Sequence, residues 1–372
     1  MQERKYCELG SEFWTDCTPK AESEWGMRAQ RIYESHSDKV CETLAGRTAL
    51  EYVAEIVVGK GKRTICLPSY CCHTMIEPFL RHGMIVSYYD VTETEQGLHR
   101  EIVASCKSEV FLLMDYFGHT DAETSEKALE LKTAGKTLIY DATHAMYSEM
   151  VDYSLYDYVC GSYRKWVDIN CGFIAWKEEL ENGKITQSPQ IGNYAQVRAE
   201  LFEKKAMFMN GGHIYKEDFY PLIGQSDALL ANDYHHQMPD QRSQEVLMKT
   251  DVEYLKMRRW ENARVLTEGI NEMNSDKVRC LNPLLNTQDI PLFVPVVFEN
   301  QELRDSVRKY LIEKSIYLPV HWPLSKEHKI NERSKSIYGR ELSVVCDQRY
   351  GRADTERILT EINDIIKKQQ CN

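Results

Sequence analysis

Two residues in the middle of the chain, Asp141 and Lys165, carry a carboxylate and an amine that could act together on one ligand. Asp141 ends an apolar run at residues 138–140, and Lys165 follows a later apolar run and has aromatic neighbours. A partly desolvated lysine amine has a lowered pKa and can form an imine with an aldehyde. A carboxylate after a buried strand needs a cationic partner, which a protonated ring nitrogen would supply. The pair predicts a site for an aldehyde on such a ring, although Asp141 could equally be a helix N-cap.

A third candidate is the turn at residues 45–49, with the sequence AGRTA, directly before a predicted helix. Gly46 would let the backbone approach a ligand closely, and free N–H groups at a helix start bind phosphate. Arg47 and Thr48 would add contacts, and Ser162 could add a hydrogen bond. The alternative is an ordinary capped helix, because Thr is a common cap. If the turn lies beside Asp141 and Lys165, we interpret it as a phosphate site and not as an ordinary capped helix.

The elements that must position these residues alternate between strands and helices. Because the apolar runs are continuous, the expected structure is an α/β three-layer sandwich with a mostly parallel central sheet. Ligands of such sheets lie beyond the carboxyl ends of the strands, where Asp115, Asp141 and Ser162 are predicted to fall. Strands are predicted at residues 64–68, 84–89, 110–114, 137–140, 159–162 and 173–176, and helices at residues 48–58 and 75–81, with Pro78 in the first turn of the latter.

Two domains are predicted. Residues 1–250 would form an N-terminal arm and a large domain, and residues 251–372 a small α+β domain entered through a long helix at 251–270. The periodicity weakens between residues 177 and 240, which predicts loops and short helices over the site. Further elements of the small domain are predicted at residues 292–298, 303–314, 316–319 and 355–367.

Composition and charge argue against several functional classes. The chain has 372 residues and a formal net charge of −11, which argues against a nucleic-acid partner. No run approaches the ~20 apolar residues that cross a bilayer, and no secretory signal is visible, so we expect a cytoplasmic protein without a membrane partner. The 12 cysteines include no C-x-x-C pair, which predicts reduced thiols and no metal site.

Taken in order, the motifs resemble those of fold-type I pyridoxal-phosphate enzymes. Within that group they are similar to the DegT/StrS-type aminotransferases, which act on nucleotide-linked keto sugars. The resemblance runs from about residue 45 to the C-terminus. The segments that carry it are GRTAL at 46–50, PSYCCH at 68–73, DYFG at 115–118, DATH at 141–144, SYRK at 162–165, CG at 171–172, YLPVHWP at 317–323 and LSVVCDQRY at 342–350.

The resemblance implies an aspartate-aminotransferase-like large domain that binds pyridoxal 5'-phosphate. Lys165 would form the internal aldimine, and Asp141 would face the ring nitrogen. An aromatic residue is common in the family at the position of Cys72, so stacking on the ring falls to His73. The implied cofactor contacts are Gly46, Arg47, Thr48, Cys72, His73, Asp141, His144, Ser162 and Lys165, and the implied substrate contacts are Tyr116, His321 and Arg349.

The activity implied by the resemblance is amino transfer from glutamate to a keto acceptor, with a nucleotide-linked keto sugar as the expected acceptor. Lys165 stands where the sugar dehydratases of the family carry His, which argues against dehydration. Two alternatives stay open: a lyase, aldolase or transferase that uses the same cofactor on an amino acid, and a non-catalytic binding protein. The family also implies a homodimer with a shared active site, to which residues 231–236 could contribute across the interface.

Overall fold

A large central sheet organises the structure, a computed structural model that describes residues 7–17, 19–21, 24–37, 39–180, 185–189 and 193–370. The strands are β1 (Leu9–Gly10), β2 (Val40–Thr43), β3 (Thr64–Pro68), β4 (Ile85–Glu93), β5 (Leu98–Glu101), β6 (Val110–Met114), β7 (Thr137–Asp141), β8 (Tyr158–Ser162), β9 (Gly172–Trp176), β10 (Val278–Cys280), β11 (Phe293–Phe298), β12 (Ile316–Tyr317) and β13 (Glu341–Val345). The large sheet has eight strands in the order β2-β9-β8-β7-β6-β3-β4-β5.

The pairing in this sheet is mostly parallel. β4, β3, β6, β7 and β8 run in one direction. β9 is antiparallel to both β8 and β2, and β5 is antiparallel to β4. Because every residue of β6 and β8 is buried, these strands are continuous apolar runs in the sequence. The predicted fold class is confirmed.

The helices precede or follow the strands as the alternating pattern predicts. They are α1 (Gln30–Ser35), α2 (Gly46–Gly59), α3 (His73–Arg81), α4 (Ala122–Thr133), α5 (Tyr194–Met209), α6 (Tyr220–Asn232), α7 (Gln241–Lys249), α8 (Val252–Glu272), α9 (Gln301–Glu313), α10 (Glu332–Arg340) and α11 (Arg352–Gln370). Five of them begin at a side chain that accepts a backbone N–H of the first turn, namely those capped by Asp121, Asp240, Asp251, Asn300 and Asn331.

A second hydrophobic core lies in the C-terminal part of the chain. The antiparallel sheet β10-β11-β13 packs there with α8, α9 and α11. The core also contains Leu9 and Trp14, because β1 pairs in parallel with β12. The domain boundary at residue 250 stays a prediction, and the N-terminal segment packs with the C-terminal part of the chain.

Two local predictions were wrong. Helix α3 begins at His73, so Pro78 lies in its second turn, three residues before the helix ends at Arg81. The segment predicted as loops and short helices contains α5, which has 16 residues. Its buried face includes the cations Arg198 and Lys205, which pair with Glu12 and Glu8 at 2.9 and 3.0 Å. Because these charged residues occupy positions that face the core, the apolar residues of this segment do not show a helical periodicity in the sequence.

Other expectations concern thiols and membranes. The cysteines within the described ranges are free thiols. Six of them are buried, namely Cys66, Cys71, Cys160, Cys171, Cys280 and Cys346, and Cys7 is exposed. Among the described helices, none combines the length and apolar character needed to cross a bilayer.

Candidate active site

A cavity of about 140 Å³, here called the inner cavity, lies at the carboxyl ends of β7 and β8. Asp141 is the last residue of β7, and Lys165 lies three residues after the end of β8, so the parallel sheet brings the two side chains to one edge. The residues that line the cavity are Ala45, Gly46, Arg47, Leu50, Cys72, Thr74, Met75, Met114, Asp141, Thr143, His144, Ser162, Arg164, Lys165, Leu230 and Trp322. The two residues that the sequence singled out therefore line one cavity.

Asp141 is a buried carboxylate in a turn. Its Oδ1 accepts the backbone N–H of Thr143 at 2.9 Å, and the indole of Trp166 donates to the Thr143 carbonyl at 2.9 Å. Residues 143–147 form turns, so no helix begins at Asp141 and the N-cap alternative does not apply. Burial raises the pKa of Asp141, while the hydrogen bonds from Thr143 and the charge of Lys165 oppose the rise. A cation at the open side of this carboxylate would lower its pKa further.

Lys165 ends a single 3-10 turn, Tyr163–Lys165, that follows β8. Its pKa is lowered, first by burial and then by the neighbouring charge of Arg164. A lowered pKa raises the fraction of neutral amine, the form that attacks an aldehyde and accepts a proton. Lys165 and Arg164 also line a second, larger cavity, so the amine lies where the two cavities meet.

The start of α2 forms one end of the inner cavity. Ala45 occupies the N-cap position in an extended conformation and offers no side-chain cap, unlike the residues that cap α4, α7, α8 and α9. A Cβ atom on Gly172 would lie 2.5 Å from the Ala45 carbonyl carbon, so only glycine lets β9 approach this turn. The uncapped N–H groups suit an anion such as phosphate.

Three side chains were predicted to join this turn, and they differ in position. Ser162 lines the cavity, and its hydroxyl makes no hydrogen bond to another residue within the described ranges. Arg47 also lines the cavity, with a guanidinium nitrogen 3.7 Å from a Glu77 oxygen. Thr48 is fully buried and donates its hydroxyl to the Tyr234 carbonyl at 2.8 Å, outside the lining of the cavity. The side-chain contact predicted for Thr48 is therefore not supported.

Cys72 and His73 lie at the start of α3. Cys72 lines the cavity and accepts a hydrogen bond from the Thr74 hydroxyl at 3.1 Å. The predicted stacking role of His73 needs correction, because its ring lies outside the cavity lining and Nδ1 is 3.4 Å from a Glu327 oxygen. As the first residue of the helix, His73 projects away from the cavity that its neighbour lines.

Two rings that do face the inner cavity are those of His144 and Trp322. Their centroids are 5.4 Å apart, and the planes are inclined by 31°. His144 Nδ1 accepts the Phe117 N–H at 3.1 Å, which leaves the proton of the neutral ring on Nε2. Burial and the charge of Lys165 lower the pKa of His144 to about 3. Trp322 was quoted in a motif but not predicted as a site residue; its place in an HWP turn far along the sequence gave no local signal.

The second cavity, here called the outer cavity, has a volume of about 460 Å³. His321 and Arg349 both line it, as predicted for substrate contacts. Asp347, however, accepts two hydrogen bonds from the Arg349 guanidinium, at 2.7 and 2.8 Å. Further cations that line the cavity were missed because they are scattered in the sequence: Arg164, Arg198, Arg259 and Arg308.

Tyr116 and Asp115 lie outside both cavities. The Tyr116 hydroxyl is buried and donates to the Tyr70 carbonyl at 2.7 Å, so the predicted substrate contact is wrong for this residue. Asp115 is paired with the buried guanidinium of Arg100 at 3.1 Å and accepts the Tyr140 hydroxyl. Both residues therefore make buried contacts away from the lining of the two cavities.

The similarity of this chain to known proteins is seen in three-dimensional structure and not in sequence. No protein-family model matches the sequence, and no curated protein matches it. Among solved structures, PseC of Helicobacter pylori, an aminotransferase involved in the biosynthesis of pseudoaminic acid, is similar with a TM-score of 0.62 and 12% identity over 99% of this chain and 100% of that chain. The aminotransferase TlmJ of Streptoalloteichus hindustanus is similar with a TM-score of 0.62 and 13% identity over 94% and 93% of the chains.

The chain has an aminotransferase fold. A third similar structure is NtdA of Bacillus subtilis with the bound cofactor PMP, at a TM-score of 0.61 and 13% identity over 94% of this chain and 78% of that chain. At these identities the likeness establishes the fold, including the arrangement of the sheet whose edge carries Asp141 and Lys165.

Proposed function

We propose that this protein is a pyridoxal-phosphate-dependent aminotransferase. The observation that carries the proposal is that Lys165 and Asp141 line one cavity with the uncapped start of α2. When bound, pyridoxal 5'-phosphate supplies an aldehyde and a ring that takes up electrons. The aminotransferase fold of PseC and TlmJ and the PMP bound to NtdA agree with this choice.

The lining of the inner cavity fits each part of that cofactor. The Lys165 amine is the anchor for the aldehyde, and Asp141 is the acid partner of the ring nitrogen. The backbone at Gly46 and Arg47, together with the Ser162 hydroxyl, would hold the phosphate. His144, Trp322 and Cys72 would enclose the ring.

The other parts of the proposed reaction, namely proton transfer, protonation of the ring and exclusion of water, are assigned to residues of the chain. Lys165, once free, is the base that removes a proton from the substrate carbon and the acid that returns it. Burial and the nearby charge of Arg164 lower the pKa of this amine, which favours the neutral form that acts as the base. The buried Asp141 keeps the ring nitrogen protonated, and Trp322 excludes water from the reacting atoms.

The outer cavity is where we place the amino donor and the keto acceptor. It carries more cations than carboxylates, and Arg308 has no carboxylate partner within the described ranges. Its Nε donates to the Leu318 carbonyl at 3.3 Å, which leaves the rest of the guanidinium facing solvent. An anionic substrate suits this lining, and the expected pair is glutamate and a nucleotide-linked keto sugar. Arg308 and Arg164 replace Arg349 as the proposed anion contacts.

We further propose a homodimer in which residues 231–236 approach the partner's site. Asp227 and Leu230 of α6 line the outer and inner cavities, and this segment follows directly. Within the chain, His235 and His236 pair with Glu51 and Glu55 of α2. A partner subunit that seats on this segment would therefore contact the helix that begins at the phosphate site.

Absorbance spectroscopy tests the proposal. Purified protein mixed with pyridoxal 5'-phosphate should turn yellow, and glutamate should then bleach the band as the amino form of the cofactor accumulates. A lyase or aldolase would keep the band and release product, and a non-catalytic protein would give no turnover. Failure to develop the band in the wild-type protein would rule the proposal out.

A further inference from the structure

A buried chain of hydrogen bonds runs from His321 away from the outer cavity. Glu341 and Ser343, two residues apart on β13, have no exposed surface and point to the same face of the strand. Ser343 Oγ lies 2.8 Å from His321 Nδ1 and also hydrogen-bonds Glu341 Oε1. The chain therefore joins a buried carboxyl group to an imidazole that lines a cavity.

A second contact decides which carboxyl oxygen can carry a proton. The backbone N–H of His321 donates to Glu341 Oε2 at 2.7 Å, so Oε2 must be an acceptor. When Glu341 is protonated, its proton therefore sits on Oε1 and points at Ser343. When Glu341 is ionised, Oε1 accepts the serine proton instead.

The two states of the carboxyl group impose different tautomers on the imidazole. With Glu341 ionised, Ser343 donates to Oε1 and accepts from the His321 Nδ1–H, which leaves Nε2 as a bare acceptor. With Glu341 protonated, Oε1–H donates to Ser343, the serine hydroxyl donates to Nδ1, and Nε2 carries the ring proton. His321 Nε2 makes no hydrogen bond to any residue within the described ranges, and His321 lines the outer cavity.

We propose that Glu341 and Ser343 are positioning residues that set the tautomer of His321, and thereby decide whether Nε2 accepts a proton from a substrate in the outer cavity or donates one to it. The inference rests on the proposed function, because the substrate is the keto acceptor placed in this cavity. The proton count balances: one proton enters at Nε2, the Nδ1 proton passes to Ser343, and the serine proton passes to Glu341. The reverse passage returns a proton to the oxygen that leaves the acceptor as water.

The surroundings allow both states. Arg304 is the charged group near Glu341, and the Tyr70 hydroxyl, which donates to the His321 carbonyl, also interacts electrostatically with Glu341. His144 and Lys165 face His321, and with burial they hold its pKa well below the ordinary value, so the ring stays neutral. Burial raises the pKa of Glu341 to about 8. The carboxyl group therefore changes state in a pH range where the protein can be studied.

Nitrogen NMR of the full-length protein with labelled histidine tests the inference without added cofactor or substrate. The His321 signals are identified by their loss in His321→Gln. In the wild type, we expect Nε2 to carry the proton at neutral pH and Nδ1 to carry it at alkaline pH, with a midpoint near the pKa of Glu341. In Glu341→Gln, the His321 N–H must face the amide oxygen, so the NH₂ group donates to Ser343 and Nε2 should stay protonated at every pH.

Two further variants separate this relay from general effects on folding. Ser343→Ala should abolish the pH-dependent exchange of tautomers, and Tyr70→Phe, which removes a contact to the same His321 carbonyl, should retain it. A wild-type tautomer that does not change with pH would overturn the proposal, even if Glu341→Gln fails to fold. In assays with cofactor, Glu341→Gln should also remove the corresponding alkaline limb from the pH profile of kcat/KM. The yellow colour of the holoenzyme tests the proposed function separately.

Discussion

The charge of Lys165 opposes the rise that burial causes in the pKa of Asp141, and both side chains line the inner cavity. A buried carboxylate and a buried amine on one cavity are each unfavourable without a partner. The cavity left between them is therefore a place for a group that satisfies both. Pyridoxal 5'-phosphate has such groups, an aldehyde for the amine and a basic ring nitrogen for the carboxylate.

Replacing Lys165 tests whether its amine binds the aldehyde of the cofactor. Lys165→Ala should abolish the yellow colour and lower turnover by at least ~10²-fold, because the chain loses its general acid and base. Absorbance and single-turnover assays measure the two effects. Lys62, a half-buried lysine after α2 that lines neither cavity, offers a control as Lys62→Ala, which should change neither the colour nor the turnover. Full turnover by Lys165→Ala would contradict the assignment.

The close approach at Gly172 makes a prediction about the phosphate site. Gly172→Ala places a Cβ atom 2.5 Å from the Ala45 carbonyl carbon, so the turn before α2 must shift. Such overpacking costs ~1–3 kcal/mol, and we expect at least ~10-fold weaker cofactor binding in an absorbance titration. Gly59→Ala, at the other end of α2, meets no atom within 4 Å and should leave the affinity unchanged. Equal affinities for the two variants would argue against a phosphate at this turn.

Arg308 and Arg349 line the same cavity but should respond differently to substitution. Arg308 is exposed and has no carboxylate partner within the described ranges. We therefore expect Arg308→Ala to raise KM for an anionic acceptor by about 10-fold, which corresponds to the loss of one charged hydrogen bond. Its Tm should stay unchanged. Arg349→Ala leaves Asp347 buried without its partner and should lower the free energy of unfolding by ~3–5 kcal/mol. Steady-state kinetics and thermal unfolding separate the two outcomes; a stable Arg349→Ala would contradict the second.

His144 predicts how stability depends on acid. Its pKa in the folded protein is about 3, below the value of 6.5 in an unfolded chain, so between these values the unfolded state binds the additional proton. Stability is lost as the pH falls from about 6.5 towards 3, by at most ~1.4 kcal/mol per pH unit for this group. His144→Asn keeps an acceptor for the Phe117 N–H and should flatten the acid limb in urea unfolding experiments. An unchanged slope would show that His144 does not remain neutral in the folded state.

Much of the large sheet could be predicted from the sequence because its central strands are buried on both faces. Residues 110–114, for example, form a continuous apolar run and a strand with the predicted bounds. The same reasoning placed Asp141 and Ser162 at one edge of the sheet, and they are the last residues of β7 and β8. Helix α5 could not be recognised in this way, because its buried face includes Arg198 and Lys205, whose partners come from the N-terminal segment.

Side-chain direction within a motif was harder to predict than the motif itself. Cys72 and His73 are neighbours, yet only Cys72 faces the inner cavity. Thr48 and Arg349 were also predicted as ligand contacts. Thr48 instead donates to the Tyr234 carbonyl, which is distant in the sequence, and Arg349 pairs with Asp347, two residues away. The position of Trp322 depends on how the second core packs against the large sheet, which no local pattern encodes.

The pairing of β1 with β12 has a practical consequence for engineering this protein. Gly10, at a φ of +81°, passes so close to the Tyr317 carbonyl that no side chain fits there, and Glu12 and Phe13 beyond it form a wall of the outer cavity. We therefore expect a tag, cleavage site or truncation that disturbs these first described residues to alter which molecules enter the outer cavity, while leaving the lining of the inner cavity intact.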